Sequence, residues 1–205
     1  MSEPRTPVFA KPGRYGADGP AQATLQEAAI SAAWNLQGDP AKPAFAEAAR
    51  SLLGTPLPVL SNTAAAGDAM TIAWLGPTSW LLIAGGAAAP SHPLSAFNAK
   101  RDAINAAGGA LFDVSASRVA WTLSGPRAAD VLAKGCPLDF HPRAFAPGTC
   151  AQSLFGHVNV LIEKRDDATT FTVMVARSFA RDVWHALCAS AAQYGYEVLA
   201  PAAIG

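Results

Sequence analysis

The order strand, turn, strand, helix occurs twice in this chain, about 90 residues apart, and no other feature narrows its fold as much. In the first copy, Met70 to Leu75 and Ser79 to Ala84 read as strands joined through Gly76-Pro77. Trp74, Trp80 and the run Leu81-Leu82-Ile83 suit a half-buried sheet, because branched and aromatic side chains pack well on a pleated surface. Pro93 to Ala107 then reads as a helix closed by Gly108-Gly109. In the second copy, Ser153 to Lys164 reads as one alternating strand with Leu154, Val158, Val160 and Ile162 on one face. Glu163 to Ala168 turns the chain, and Phe171 to Ala176 returns with Phe171, Val173 and Val175 on one face. Ser178 is placed to cap a final helix in which Phe179, Val183 and Leu187 recur at helical spacing. These units predict an α+β fold of duplicated strand-strand-helix units, with antiparallel sheets and helices packed on one face. The period is too long, and the copies too few, for a solenoid.

The flanking segments fill in the plan. Residues 1–22 are rich in Pro, Gly and Ala and cannot bury enough apolar area to fold alone, so they read as an arm, either flexible or laid on a partner. Residues 23–205 are expected to form a single domain. Thr24-Leu25-Gln26-Glu27 matches a capping box, predicting a helix to about Gln37 with Gly38 at its end. Pro43 suits a first helical position, and a second helix is expected to run to Leu53 and stop at Gly54. Ala110 to Val114 and Val119 to Leu123 read as strands, and Ser124-Gly125-Pro126 opens a short helix that Gly135 ends. Residues 137–150 read as a loop, and Tyr196 to Leu199 as a last strand.

Composition excludes several functions. Lysine and arginine together equal aspartate and glutamate at 15 each, and the balance holds in each half, so no basic stripe awaits nucleic acid. Met1 to Gly19 holds no apolar run, and no stretch approaches the ~20 apolar residues that span a bilayer. Three cysteines form no disulfide framework, which sets the cytoplasm as the expected location. Charged residues make up only 15% of the chain, against a usual share of about 25%. Surface that is neutral or weakly apolar is often covered by a partner.

Candidate chemistry is sparse. Cys136, His141, Cys150 and His157 lie within 22 residues, but their C-x4-H-x8-C-x6-H spacing forms no tight zinc knuckle. Cys150 with His157 could act as a nucleophile pair only if the loop folded back onto the strand, and nothing local lowers the thiol pKa. Gly85-Gly86 and Gly108-Gly109 lack the pattern of a phosphate cradle. Asp166-Asp167 sit in an expected turn, where Asp is favoured for backbone reasons. Arg177 is more informative. It follows the strand Phe171 to Ala176 with the parity of that strand's apolar face, so its guanidinium must find acceptors as a structural anchor or at an interface. The five tryptophans are candidate core or interface anchors.

Several segments together resemble a known family. Asp113-Val114-Ser115-Ala116-Ser117-Arg118, followed by Leu123-Ser124-Gly125-Pro126, is similar to a segment of the aminomethyltransferase (glycine-cleavage T-protein) folate-binding fold. Three further stretches narrow the likeness: Leu75-Gly76-Pro77 with Trp80-Leu81-Leu82, then 131–139 around Lys134-Gly135-Cys136-Pro137, then Val175-Ala176-Arg177-Ser178-Phe179-Ala180 with Trp184 and Leu187. In order and spacing they resemble gamma subunits of heterotetrameric sarcosine oxidases, over about residues 22–199. Phe145 and Pro147-Gly148-Thr149-Cys150 also fit.

The resemblance implies an assembly of alpha, beta, gamma and delta chains that oxidises sarcosine to glycine. The methyl carbon passes to tetrahydrofolate, and oxygen becomes hydrogen peroxide. It implies FAD, FMN and NAD on alpha and beta, zinc on delta, and no cofactor on gamma. The T-protein family carries an acidic residue after a Gly-hydrophobic-hydrophobic stretch. The matching stretch here is Gly156-His157-Val158-Asn159-Val160, so Asn159 or Val160 takes that place, and neither holds a negative charge. The implied role is therefore a non-catalytic one in structure and assembly, with Arg177, Ser178, Phe179, Arg118 and Trp80 as expected interface residues or structural anchors. The alternatives are a stand-alone folate-binding protein, or a methyltransferase-like enzyme using His157 or Cys150.

Overall fold

A computed structural model describes residues 11–66, 70–84, 94–164, 166 and 169–204. The chain divides into two compact units, one made of Met1–Ala29 with Ala116–Ile204 and the other of Ile30–Ser115.

The second of these units holds β3 (Ala32–Gln37), α1 (Pro43–Leu53), β4 (Ala64–Ala66), β5 (Met70–Gly76), β6 (Ser79–Ala84), α2 (Leu94–Ala106) and β7 (Ala110–Asp113). Its five strands form one sheet in the order β4-β5-β6-β3-β7, and every pair is antiparallel. Alternation sends Trp34, Leu36, Ile72, Trp80, Leu82 and Leu111 into a core closed by Phe45, Ala49 and Leu53 of α1 and Ile104 of α2. Pro43 opens α1 at its first turn, and Gly54 ends it with φ 71°, a left-handed conformation that side chains disfavour. The opposite face is buried too, at Ala33, Ala73, Leu81 and Ile83.

The other unit holds β1 (Gly13–Tyr15), β2 (Ala23–Ala29), β8 (Arg118–Ser124), α3 (Ala128–Ala133), β9 (Thr149–Phe155), β10 (Val158–Lys164), β11 (Thr170–Ala176), α4 (Ala180–Ala191) and β12 (Tyr196–Ala203). Its seven-stranded sheet runs β1-β12-β2-β8-β11-β10-β9, antiparallel except where β12 lies parallel to β2. Leu25, Trp121, Leu123, Val160, Ile162, Phe171, Val173 and Val175 share the face covered by Val131 and Leu132 of α3 and by Val183, Trp184 and Leu187 of α4. The Trp121 and Trp184 rings meet there at 5.9 Å.

The duplication extends further than the strand-strand-helix motif. The elements β3-α1-β4-β5-β6-α2-β7 and β8-α3-β9-β10-β11-α4-β12 repeat the same order. β4-β5-β6-β3 in one sheet matches β9-β10-β11-β8 in the other.

The structure corrects four local expectations. The helix expected from Thr24 to Gln37 is instead the strands β2 and β3. Thr24-Leu25-Gln26-Glu27 has the composition of a capping box, but its burial alternates with the period of a strand, and sheet pairing on both sides of β2 overrides the local signal. Ser153 to Lys164 is not one strand but parts of the hairpin β9–β10, turned at Gly156 (φ 63°) and His157. The turn breaks the alternation, so Leu154 is exposed opposite Asn159 while Phe155, opposite Val158, enters the core. Ser178 makes no cap: Arg177–Phe179 form a 3₁₀ turn, and α4 begins at Ala180. Phe179 consequently lies off the buried stripe, whose members are Ala180, Val183, Trp184, Leu187 and Ala191. Glu163 and Lys164, read as part of a turn, continue β10. Of the expected arm, residues 1–10 lie outside the described residues, and Gly13–Tyr15 pairs with β12. Pro93, the expected start of α2, also lies outside them.

Candidate functional site

The strand-to-helix junction at the end of β11 gathers four of the five residues singled out in the sequence. Arg118 begins β8 directly opposite Ala176 at the end of β11, and Arg177, Ser178 and Phe179 follow as the exposed 3₁₀ turn. The Arg177 Nε donates to the Ala116 carbonyl at 2.6 Å, which ties the junction to the turn before β8. The Arg118 Nε is buried without a hydrogen-bond partner. Phe179 is 47% exposed, a large apolar area left open on the same turn. Trp80 is elsewhere. It lies at 0% exposure in the core of the five-stranded unit, 6.2 Å from the Phe45 ring, and donates its indole N–H to the Pro58 carbonyl at 2.8 Å. Its role is that of a core residue.

Sequence reading missed Glu27. On β2 it takes the parity of Ala23 and Leu25 and so points to the helix-covered face. It is 7% exposed, and its Oε1 has no hydrogen-bond partner. Burial pushes its carboxyl up from 4.5 to about 7, and the Arg177 charge opposes that rise. Desolvation disfavours the ionised acid more than one guanidinium stabilises it. The signal was legible as period-two alternation through Ala23, Leu25 and Glu27, but the capping-box match concealed it.

The other candidates separate. Cys150 is fully buried opposite Glu163 near one end of the β9–β10 hairpin, while His157 sits at the turn on the other end. Five residues of ladder part them, roughly 17 Å at strand rise. They cannot share a proton. His141 accepts the Arg143 N–H on its Nδ1 within a loop, and Cys136 belongs to the core. Among the described residues, no three His, Cys, Asp or Glu side chains gather as a metal site. Burial pushes the Cys188 thiol up, the reverse of what a nucleophile needs. Asn159 is exposed on β10, and Val160 is buried in the core. Glu163, buried on the opposite face between Cys150 and Thr172, is a further carboxylate that the sequence placed in a turn.

In the five-stranded unit, a surface cleft of about 400 Å³ is lined by Pro43, Ala46, Leu57 and Val59 with the exposed Glu47–Arg50 ion pair on it. Val59 and Leu60 are 63% and 72% exposed. Exposed apolar area marks both regions, at Phe179 in one and at Val59 and Leu60 in the other. Among the described residues, no helix is long and apolar enough to cross a membrane.

Comparison with known proteins accords with this geometry. The family model "Sarcosine oxidase, gamma subunit family" matches residues 37–193. A sarcosine oxidase subunit gamma from Corynebacterium sp. (strain P-1) is 29% identical over 95% of this chain and 96% of its own. One from Arthrobacter sp. is 31% identical over 73% of this chain and 70% of its own. Among solved structures, a chain of the heterotetrameric sarcosine oxidase from Corynebacterium sp. U-96 superposes with a TM-score of 0.75 and 27% identity, covering 88% of each chain. The glycine cleavage system aminomethyltransferase T from Bartonella henselae superposes at 0.55 with 16% identity, over 88% of this chain and 48% of that one, a likeness of fold alone. This chain belongs to the sarcosine oxidase gamma subunit family.

Proposed function

We propose that this chain is the non-catalytic gamma subunit of a heterotetrameric sarcosine oxidase and serves in its structure and assembly. The observation that carries the reading is the state of the position where T-proteins place an acid. Val160 is 3% exposed in an apolar core, and Asn159 presents only a neutral amide. Neither can stabilise a developing cation or move a proton there. The fold is kept while its acid is missing, which leaves docking as its use. Alpha, beta and delta chains are the partners. FAD, FMN and NAD sit on alpha and beta, zinc sits on delta, and tetrahydrofolate is a co-substrate of the assembly. Arg177, Ser178, Phe179 and Arg118 form one contact of the subunit with a neighbour. The assembly works in the cytoplasm.

Co-expression with the neighbouring reading frames of its operon, followed by purification on a tag carried by this chain, tests the proposal. The expected product is a yellow four-chain complex whose flavin remains with the partners on dissociation. A colourless single chain that binds tetrahydrofolate tightly would overturn the proposal in favour of a stand-alone folate-binding protein.

A further inference from the structure

The two copies of the repeat end differently at one sheet edge. β12, the last strand of one copy, has its outer edge covered by β1, which pairs antiparallel through Gly13, Arg14 and Tyr15. β7, the last strand of the other copy, pairs with β3, and among the described residues no strand lies on its outer side. At the opposite edges, β4 and β9, the two copies agree, and among the described residues no strand lies beyond either.

The backbone of β7 is set to accept a strand. The Val114 N–H donates to the Ala33 carbonyl at 2.9 Å, directly opposite it. In an antiparallel ladder, hydrogen-bonded and non-hydrogen-bonded pairs alternate. Phe112 and Ala110 therefore bond inward to Asn35 and Gln37, and the N–H and C=O groups of Leu111 and Asp113 point away from the sheet. Gly108 (φ 82°) precedes β7 as Gly195 (φ 63°) precedes β12. Aligning these glycines matches Leu111 with Val198, both in a core, and Phe112 with Leu199, both open at 51% and 37% exposure. The outer partner of Val198 is Gly13 of β1. An edge whose outward amides meet no strand among the described residues, beside a half-exposed phenylalanine, invites pairing, and folded proteins cover or blunt such edges.

We propose that an extended segment of a partner subunit adds to this edge as an antiparallel strand, as β1 adds to β12, bonding Leu111 and Asp113 and laying an apolar side chain over Phe112. The inference rests on the assembly reading above and names the place where assembly occurs.

Residue-resolved hydrogen–deuterium exchange on the full chain, alone and in the co-purified complex, tests it. The Leu111 and Asp113 amides should slow by about tenfold or more in the complex, while the Phe112 amide stays slow in both. Equal rates for Leu111 and Asp113 in both samples, from a complex that does co-purify, overturn this inference and leave the subunit reading standing. Failure of the complex to form overturns both. Protection that appears in the chain alone and grows with its concentration assigns the edge to a second copy and overturns the partner strand. Phe112→Lys should weaken assembly by about tenfold while the chain keeps its circular dichroism, since an exposed lysine on an edge opposes strand addition. Unchanged assembly of this variant counts against the proposal.

Discussion

The two units follow one order of elements, yet among the described residues only one of them has taken in strands from outside the repeat. In the five-stranded sheet β3 pairs directly with β7, whereas in the seven-stranded sheet β2 is inserted between the corresponding strands β8 and β12. The inserted strand runs antiparallel to β8 and parallel to β12, so the directions of both flanking strands match those of β3 and β7. Each core presses an aromatic ring on a glycine, but at different places in the repeat: Phe45 of α1 on Gly109 after α2, and Phe155 of β9 on Gly135 after α3. The polar cost is not shared. Glu27 arrives with β2, which has no counterpart in the other unit, and brings a carboxyl into an apolar face. The repeat is widened in this unit, and the added strand carries its own electrostatic burden.

Four experiments would break or sharpen this comparison. Phe45→Ala removes a ring at 0% exposure that packs against Trp80, and the expected loss is ~3–5 kcal/mol in urea unfolding. A loss below ~1 kcal/mol would mean that the five-stranded core is not organised around that ring.

Glu27→Gln comes next. Its carboxyl is pushed up to about 7 in the fold from an ordinary 4.5, so the folded chain holds this proton more tightly than the unfolded one. The stability due to the bound proton is fully present below the unfolded value and is lost as pH rises to about 7. Gln is neutral throughout, so unfolding at pH 4.5 and pH 8 should show the variant gaining on the parent by up to ~3 kcal/mol. A gap that does not move with pH would place the ionised carboxylate in a better solvated site.

Gly109→Ala and Gly135→Ala test these two ring contacts. A Cβ at 109 would lie 2.5 Å from the Phe45 ring and 2.7 Å from the Gln37 carbonyl, and one at 135 would lie 2.8 Å from the Phe155 ring. Each should cost ~1–3 kcal/mol by overpacking. No cost in thermal unfolding for either variant would show that its ring moves aside. The smallest effect belongs to Trp80→Phe, which keeps most of the ring but loses the bond to the Pro58 carbonyl. About 1 kcal/mol is expected from chemical denaturation, and no change would show that the bond is replaced by water.

The repeat was legible because strand-strand-helix units advertise themselves in alternating and helical spacing. The helix at Pro43, the strands at Met70 and Ser79 and the glycine stop at Gly54 agree with the structure because each rests on a local rule: a fixed φ, a period of two, a left-handed cap. The reading of Arg177 as a structural anchor or interface residue came from parity alone, and the structure adds one acceptor, the Ala116 carbonyl. Trp80 could not be sorted between core and surface by sequence, since a tryptophan in a strand suits both. Phe45 over Trp80 decides it.

Chain order and periodicity by themselves determined the duplicated α+β plan and the apolar face of β11, while the family was read from the resemblance of several ordered segments. Tertiary structure alone decided that Thr24 to Glu27 is a strand, that Glu27 is buried beside the reach of Arg177, and that one copy of the repeat ends on a covered edge and the other on an open one. The physical reason is the range of the forces involved. Caps, turns and side-chain alternation act over a few residues, whereas β2 is held by hydrogen bonds to β8 and β12, whose partners lie about 95 and 173 residues away in the chain. No local pattern records such pairing.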